Sequence, residues 1–303
     1  MTVADRRERL LLVGDNPFHD ISHLSQERAR VRDSLAGNPR LAADLLVSSL
    51  ENGANGFMFS VSGTTLSILR EVRQKGVVER LHLYAIVPYA YDYVRLATQL
   101  GGIPGLAKRF GKEVALSGNF EAVFYGLKGV IGNDPSSLMK AYLSYEISRV
   151  RSAAGKRADL SSVMLHQVIT DMALALDLDW LFHAYSRYLL KRDITPGFNT
   201  CNFPSLVTKF KKWDLDFEQV LVATPFNKVG FQMNPSREEC ERTLSALKTP
   251  LVIAISVLAA GYLKLPEAVD YIAGLSNIKG VAVGLSREEH ARQTFRLIKD
   301  RFN

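Results

Sequence analysis

The sequence predicts an α/β fold, a single (β/α)8 TIM barrel over residues 1–303 with a long insertion between strands three and four. Short β-type runs alternate with helix-compatible stretches from one end of the chain to the other, the pattern of a parallel sheet built with crossover helices. Eight such units follow one another, and 303 residues with 47% hydrophobic content are enough for one barrel core.

In chain order, the first strand is the apolar run 10–14, which leads straight into Gly14-Asp15-Asn16-Pro17. A helix over 41–50 ends at Glu51-Asn52-Gly53. Strand two is 56–60, and its helix, 65–74, is stopped by Gly76. Strand three is 81–87. Strand four is 162–166, followed by one long helix through 172–190. Strands five to eight are expected at 195–199, 219–224, 251–256 and 280–284, each with a helix-compatible stretch behind it, and 287–302 closes the barrel.

The irregularity is the segment 90–160, far more than one crossover helix needs. Gly101-Gly102-Ile103-Pro104-Gly105 breaks it, and Gly132-Asn133-Asp134-Pro135 breaks it again. Loops of this length in compact domains are usually functional, and this one leaves the face where barrels carry their sites. Two readings stay open: a lid in which residues 101–135 cover the strand C-termini, and a helical extension that packs on the barrel or forms a homo-oligomer contact.

Composition narrows the function classes. Mean hydropathy is −0.00, and no apolar run approaches the roughly 20 residues of a membrane span. The N-terminal arginines and short apolar run read as a first strand, not a signal peptide. Cys201 and Cys240 lie far apart with no CxxC spacing, so a reduced, cytoplasmic protein is expected. The net charge of +7 comes from 38 basic residues mostly interleaved with 31 acidic ones. That pattern favours small anionic ligands over nucleic acid.

In a parallel barrel, residues just past each strand converge on one mouth. After strand one come Asp15, Asn16, His19 and His23, dense in groups that ligate metals or move protons. His166 ends strand four, Asn199 ends strand five, and Asn227 and Lys228 follow strand six. Asp15, His19, His23 and His166 suit a divalent metal such as Zn2+. Metal-free acid–base chemistry at His19 and a purely structural histidine remain alternatives. Lys228 suits a Schiff base if desolvated, and otherwise a solvated charge or an anion clamp. Past strands seven and eight, Ser256, Gly261, Gly284, Ser286 and Arg287 suit a phosphate or carboxylate pocket. The competing account gives Gly261 and Gly284 to chain reversal alone.

At these residues the chain resembles the aldo-keto reductases, most clearly over 195–303. Thr200-Cys201-Asn202-Phe203 is similar to that family's Ser-Asn-Phe, which implies that Cys201 and Asn202 hold the nicotinamide carboxamide. The stretch from Ser256 to Gly261 resembles its Ser-Pro-Leu segment along the pyrophosphate. Gly284, Ser286 and Arg287, with Arg292, resemble the grip on the adenosine phosphate, and His166 falls where the catalytic histidine ends strand four. The resemblance implies the barrel and an NAD(P) cofactor. It departs where the family has an Asp and a Tyr after strand two, a Lys after strand three and a carboxamide-supporting Gln. Those regions read Phe57-Met58-Phe59-Ser60, Val87-Pro88-Tyr89 and Ala223.

With most of the tetrad missing, the leading expectation is a rebuilt site. It would act on a small anionic substrate by acid–base or metal-assisted lyase, aldolase, isomerase or hydrolase chemistry and bind NADPH weakly. His166 or His19 would move the proton, Asp15 orient or ligate, and Asn199 and Asn227 polarise an oxygen. The alternatives are an NAD(P)H reductase with an atypical proton donor, His166 or Tyr89, and a non-catalytic ligand-binding barrel. Asp15 and His19 are expected to reach His166 by hydrogen bond or shared ligand. His19→Ala is expected to abolish activity with little change in melting temperature.

Overall fold

The computed structural model describes residues 9–19, 37–89, 98–249 and 252–302. Eight parallel strands close into a barrel in sequence order: β1 Leu10–Gly14, β2 Gly56–Ser60, β3 His82–Val87, β4 Asp159–Leu165, β5 Thr195–Asn199, β6 Leu221–Pro225, β7 Val252–Ile255 and β8 Ile278–Gly284. β8 returns to β1, with Leu10 beside Gly280 and Gly14 beside Gly284. The predicted strands all exist. β1, β2 and β5 have the expected bounds, and the others are displaced by one to three residues.

The helices are α1 Pro39–Glu51, α2 Gly63–Gln74, α3 Ile103–Leu116, α4 Phe120–Ile131, α5 Pro135–Ala154, α6 Gln167–Ala175, α7 Asp179–Leu190, α8 Phe203–Lys212, α9 Arg237–Ser245, α10 Leu265–Ala273 and α11 Glu288–Phe302. Several of their starts are set by short polar side chains that satisfy first-turn N–H groups. Asn38 caps α1, Asp134 caps α5 and Ser236 caps α9. Ser62 forms a reciprocal box with Thr65 on α2. The single long helix expected after β4 is two helices. Asp177 takes a left-handed conformation, φ 53°, and turns the chain between α6 and α7.

Side chains alternate between two cores, as the pleat of a strand requires. Leu10, Leu12, Met58, Tyr84, Met164 and Ile253 fill the barrel interior. Their neighbours, such as Val13, Phe57, Phe59, Val163 and Phe198, point outward into the layer under the helices. Bulk inside is balanced by glycine. A Cβ on Gly280 would stand 2.4 Å from Leu10 Cβ, and one on Gly197 2.5 Å from Met164 Cγ. The barrel is therefore a packed interior, with its chemistry confined to the rim.

The insertion is helical. α5 fills the ordinary crossover position and packs on α2 and α7, while α4 lies against α5 and α3 against α4. The α4–α5 contact is close because α4 turns small residues toward α5. A Cβ on Gly129 would lie 2.6 Å from Leu138 Cδ2. The lid expectation for residues 101–135 is thereby corrected: this stretch is spent on a hairpin stacked on α5, not laid over the strand ends. No helix among the described residues is long and apolar enough to cross a membrane.

Candidate active site

Strand parity decides which side chains reach the mouth. The last inward positions include Gly14 on β1, Ser60 on β2, Asn199 on β5 and Gly284 on β8, with His166 one step beyond β4. Asp15 follows Gly14 directly and is buried. Its Oδ2 accepts the Ser60 backbone N–H at 2.7 Å and faces His19 Nε2 at 3.1 Å. The 3-10 turn Asn16–His19 brings His19 back over Asp15, with the Phe18 N–H donating to the Asp15 carbonyl at 2.8 Å. The His19 ring also packs against Tyr89, centroids 4.9 Å apart. Thus the ends of β1, β2 and β3 meet at one Asp–His pair under an aromatic ring.

His166 joins them from β4. Its backbone N–H donates to Val87 O at 2.8 Å, and its Nδ1 accepts the Val168 N–H at 3.2 Å, capping α6. A nitrogen that accepts carries no proton, so the neutral ring bears its proton on Nε2. Burial pushes the His166 pKa below its ordinary value, against the opposing charge of Asp15. Neutral His166 therefore presents an N–H donor at neutral pH. The expected hydrogen bond between Asp15 and His166 is absent, and the link between them is electrostatic. Asn16 lies in the same turn.

Asn199 ends β5, and its Oδ1 is buried with no hydrogen-bond partner. A buried amide oxygen left unpaired costs about 1–3 kcal/mol, which a donor from a bound ligand would recover. The next turn is organised by Asp171 of α6, a residue the sequence reading missed. It accepts Thr200 Oγ1 on one oxygen and the Cys201 N–H on the other at 3.3 Å, while the Asn202 N–H donates to Thr200 Oγ1 at 2.9 Å. Only the Thr-x-Asn spacing hinted at this turn.

Several expected site residues have other work. Cys201 is buried, and desolvation, Asp171 and nearby Cys240 push its thiol pKa up to about 12, so the thiol stays protonated and is a poor nucleophile. Asn227 is fully buried and spends its amide on Phe231, donating to its carbonyl and accepting its N–H, both at 2.8 Å. It holds the β6 loop and polarises nothing. Lys228 is exposed and paired with Glu267 at 2.7 Å, so it lacks the desolvation a Schiff-base lysine needs. Ala223 is buried inside the barrel.

The metal expectation gains no support from the described residues. Among the described residues no three His, Cys, Asp or Glu side chains group as a ligand set. Asp15 Oδ2 is already held by Ser60 and His19, and His166 Nδ1 by Val168. His23 lies outside the described residues.

On the opposite rim, Ser256, Ala259, Ala260 and Gly261 all have positive φ, between 45° and 84°. The Gly261 N–H donates to Leu258 O and the Ala259 N–H to Ser256 O, both at 2.8 Å. Ser256 Oγ donates to Gln232 Oε1 at 3.4 Å. Gly284 is explained by packing, since a Cβ there would stand 3.0 Å from Pro17 Cδ. Ser286 is half-buried and Arg287 exposed just before α11.

No family model and no curated protein matches this sequence. Solved structures do. Two, both described as candidate aldo-keto reductases from Pseudomonas aeruginosa, match with TM-scores of 0.60 and 0.59 at 12% identity, covering 100% of this chain and 97% of theirs. The leading expectation of lyase, aldolase, isomerase or hydrolase chemistry is corrected by these matches, both of which are to proteins described as aldo-keto reductases. At such identity the likeness establishes architecture: this chain folds as an aldo-keto reductase-like TIM barrel.

Proposed function

We propose that this protein is an NAD(P)H-dependent carbonyl reductase whose proton donor lies on the β1–β3 side of the mouth, not after β2. The observation that carries this reading is the convergence of the Asp15–His19 pair and the His166 Nε2–H group at one rim of such a barrel.

The residues fit a nicotinamide in one respect visible in the structure. The orphaned Asn199 Oδ1 is an acceptor for the N–H of a carboxamide, which offsets the missing polar group at Ala223. The Ser256–Gly261 turn and Arg287 would hold the pyrophosphate and the adenosine phosphate. A bound reduced nicotinamide would supply the hydride that converts a carbonyl to an alcohol.

The chain's own groups do the rest. His166 stays neutral because it is buried, so its Nε2–H polarises the carbonyl oxygen without giving up the proton. His19, in its protonated form, delivers the proton to that oxygen from Nδ1, because Asp15 holds Nε2 and fixes the ring. Tyr89 covers the other face of the ring and excludes water. The net charge of +7 favours a small anionic carbonyl compound as substrate.

The test is NADPH fluorescence titration together with NADPH consumption against a panel of oxo acids, aldehydes and ketones. Micromolar binding and turnover that His19→Ala and His166→Ala each abolish support the proposal. Absence of both binding and turnover overturns it and leaves a ligand-binding barrel.

A further inference from the structure

The outer face of α4 carries an apolar stripe that none of the described residues covers. Phe120, Phe124, Leu127 and Ile131 are 86%, 62%, 59% and 82% exposed. Their spacing of four, three and four residues places them in one line along the helix. Ala122, Gly126 and Gly129 lie on the opposite side, and the two glycines approach Ala141 and Leu138 of α5, so the stripe faces away from the barrel. Val130, on the flank, and Leu116, at the end of α3, are exposed beside it.

We infer that this face is the twofold interface of a homodimer in which α4 packs antiparallel on α4 of a second copy. The spacing is the argument for a second copy of this chain. Four-three-four reads the same in both directions, so an axis crossing the helix between Tyr125 and Gly126 sets Phe120 against Ile131 and Phe124 against Leu127 of the other chain. Each contact then occurs twice, as a closed twofold interface requires. Charge agrees with this register. The one charged side chain beside the stripe on the exposed face, Lys128, falls opposite Val123 and not opposite itself, and Glu121 is turned to Arg192.

Area agrees too. Two aromatics at roughly 150–250 Å2 each when fully covered and four aliphatics at roughly 60–120 Å2 each offer on the order of 500–800 Å2, comparable with the share of one partner in a standard interface. A monomer rarely leaves an apolar patch larger than a few hundred Å2 in water. The four-three-four line is also the knobs-into-holes seam of paired helices.

Light scattering coupled to size exclusion, with sedimentation velocity across a concentration series, tests the interface on the full chain. The wild type is expected at twice the 33.7 kDa chain mass. Phe124→Glu buries a charge at the centre of the seam and should weaken association at least about 100-fold. Its circular dichroism should stay unchanged, because the side chain is largely exposed and its ring contact is with the adjacent Tyr125. Register is read by cysteine cross-linking, with low background because Cys201 and Cys240 are buried. Mixed Phe124→Cys and Leu127→Cys chains should link to each other faster than either links to itself. A monomeric wild type, a dimer indifferent to Phe124→Glu, or preferential self-linking of Phe124→Cys each overturns the inference.

Discussion

Replacing His19 by alanine separates chemistry from support. The imidazole makes two contacts that alanine cannot, the 3.1 Å hydrogen bond to Asp15 and the ring contact with Tyr89 at 4.9 Å. Losing a hydrogen bond to a charged group costs about 1.5–3 kcal/mol, and losing the ring contact about 0.5–1.5 kcal/mol. The total is about 2–4 kcal/mol. At roughly 2–4 °C per kcal/mol for chains approaching this size, the melting temperature should fall by about 4–16 °C. The structure thus revises the expectation of a thermally silent variant, because His19 is buried against Asp15. Loss of a proton donor should lower kcat by about 10²–10⁴-fold. His19→Gln is the control, since its amide N–H reaches toward Asp15 but cannot transfer a proton. It should recover much of the melting temperature and none of the rate. Thermal melts and NADPH consumption read the two effects. A His19→Gln variant with near wild-type kcat would refute proton transfer by His19.

Three further outcomes follow from neighbouring residues. Asn199→Leu removes the orphaned acceptor, so the free protein should gain stability, up to about 1–3 kcal/mol, while NADPH affinity falls by about 2–10-fold; an affinity that holds steady removes Asn199 from the cofactor site. His166 has a folded pKa below its unfolded value near 6.5, so the unfolded chain binds more protons between the two. Its stability contribution is full above about pH 6.5 and declines as pH falls toward the folded pKa. Urea titrations at several pH values should show this slope in the wild type and lose it in His166→Asn, and kcat/KM should fall only at the lower end of that range, as pH passes the folded pKa and the native ring is protonated. Gly280→Ala should cost about 1–3 kcal/mol or more from overpacking, because its Cβ would meet Leu10 at 2.4 Å; an unchanged melting temperature would refute the packed interior.

The barrel was legible because its information is local and repeated. Each strand is a short apolar run ended by a polar or glycine residue, and β1, β2 and β5 kept their expected bounds for that reason. The first loop was legible only in part: Asp15 and His19 meet each other, but the expected hydrogen bond to His166 is absent. What the sequence hid was spent valence. Asn227 and Asn199 look alike as asparagines past adjacent strands, yet one closes a loop through Phe231 and the other keeps a buried oxygen unpaired. Cys201 matched a motif position, but the Asp171–Thr200 turn directs its side chain into the interior. The insertion misled because glycine and proline breaks mark helix ends as readily as mobile loops.

The missing tetrad need not mean a missing reaction, because a barrel mouth is a ring on which neighbouring strands bring groups to a common point. Where the resemblance leads one to expect an acid and a phenol after β2, this chain offers the Ser60 backbone N–H, which anchors Asp15 from β1. Where it leads one to expect a lysine after β3, there is Tyr89, against which His19 packs. On the proposed reading, a proton donor paired with a carboxylate is rebuilt one strand away, with His166 at the end of β4. The geometry that decides proton transfer is the direction of approach to the carbonyl oxygen, and groups from β1 to β3 share one side of the mouth. Moving Asp15 and His19 together, by exchanging their loop for an inert one while restoring an acid and a phenol at 60 and 65, would test this equivalence. Recovery of NADPH turnover in that chain, with His166 still required, would show that the donor's strand of origin is interchangeable. A chain that binds NADPH but stays inactive would show that the β1 loop supplies more than a proton.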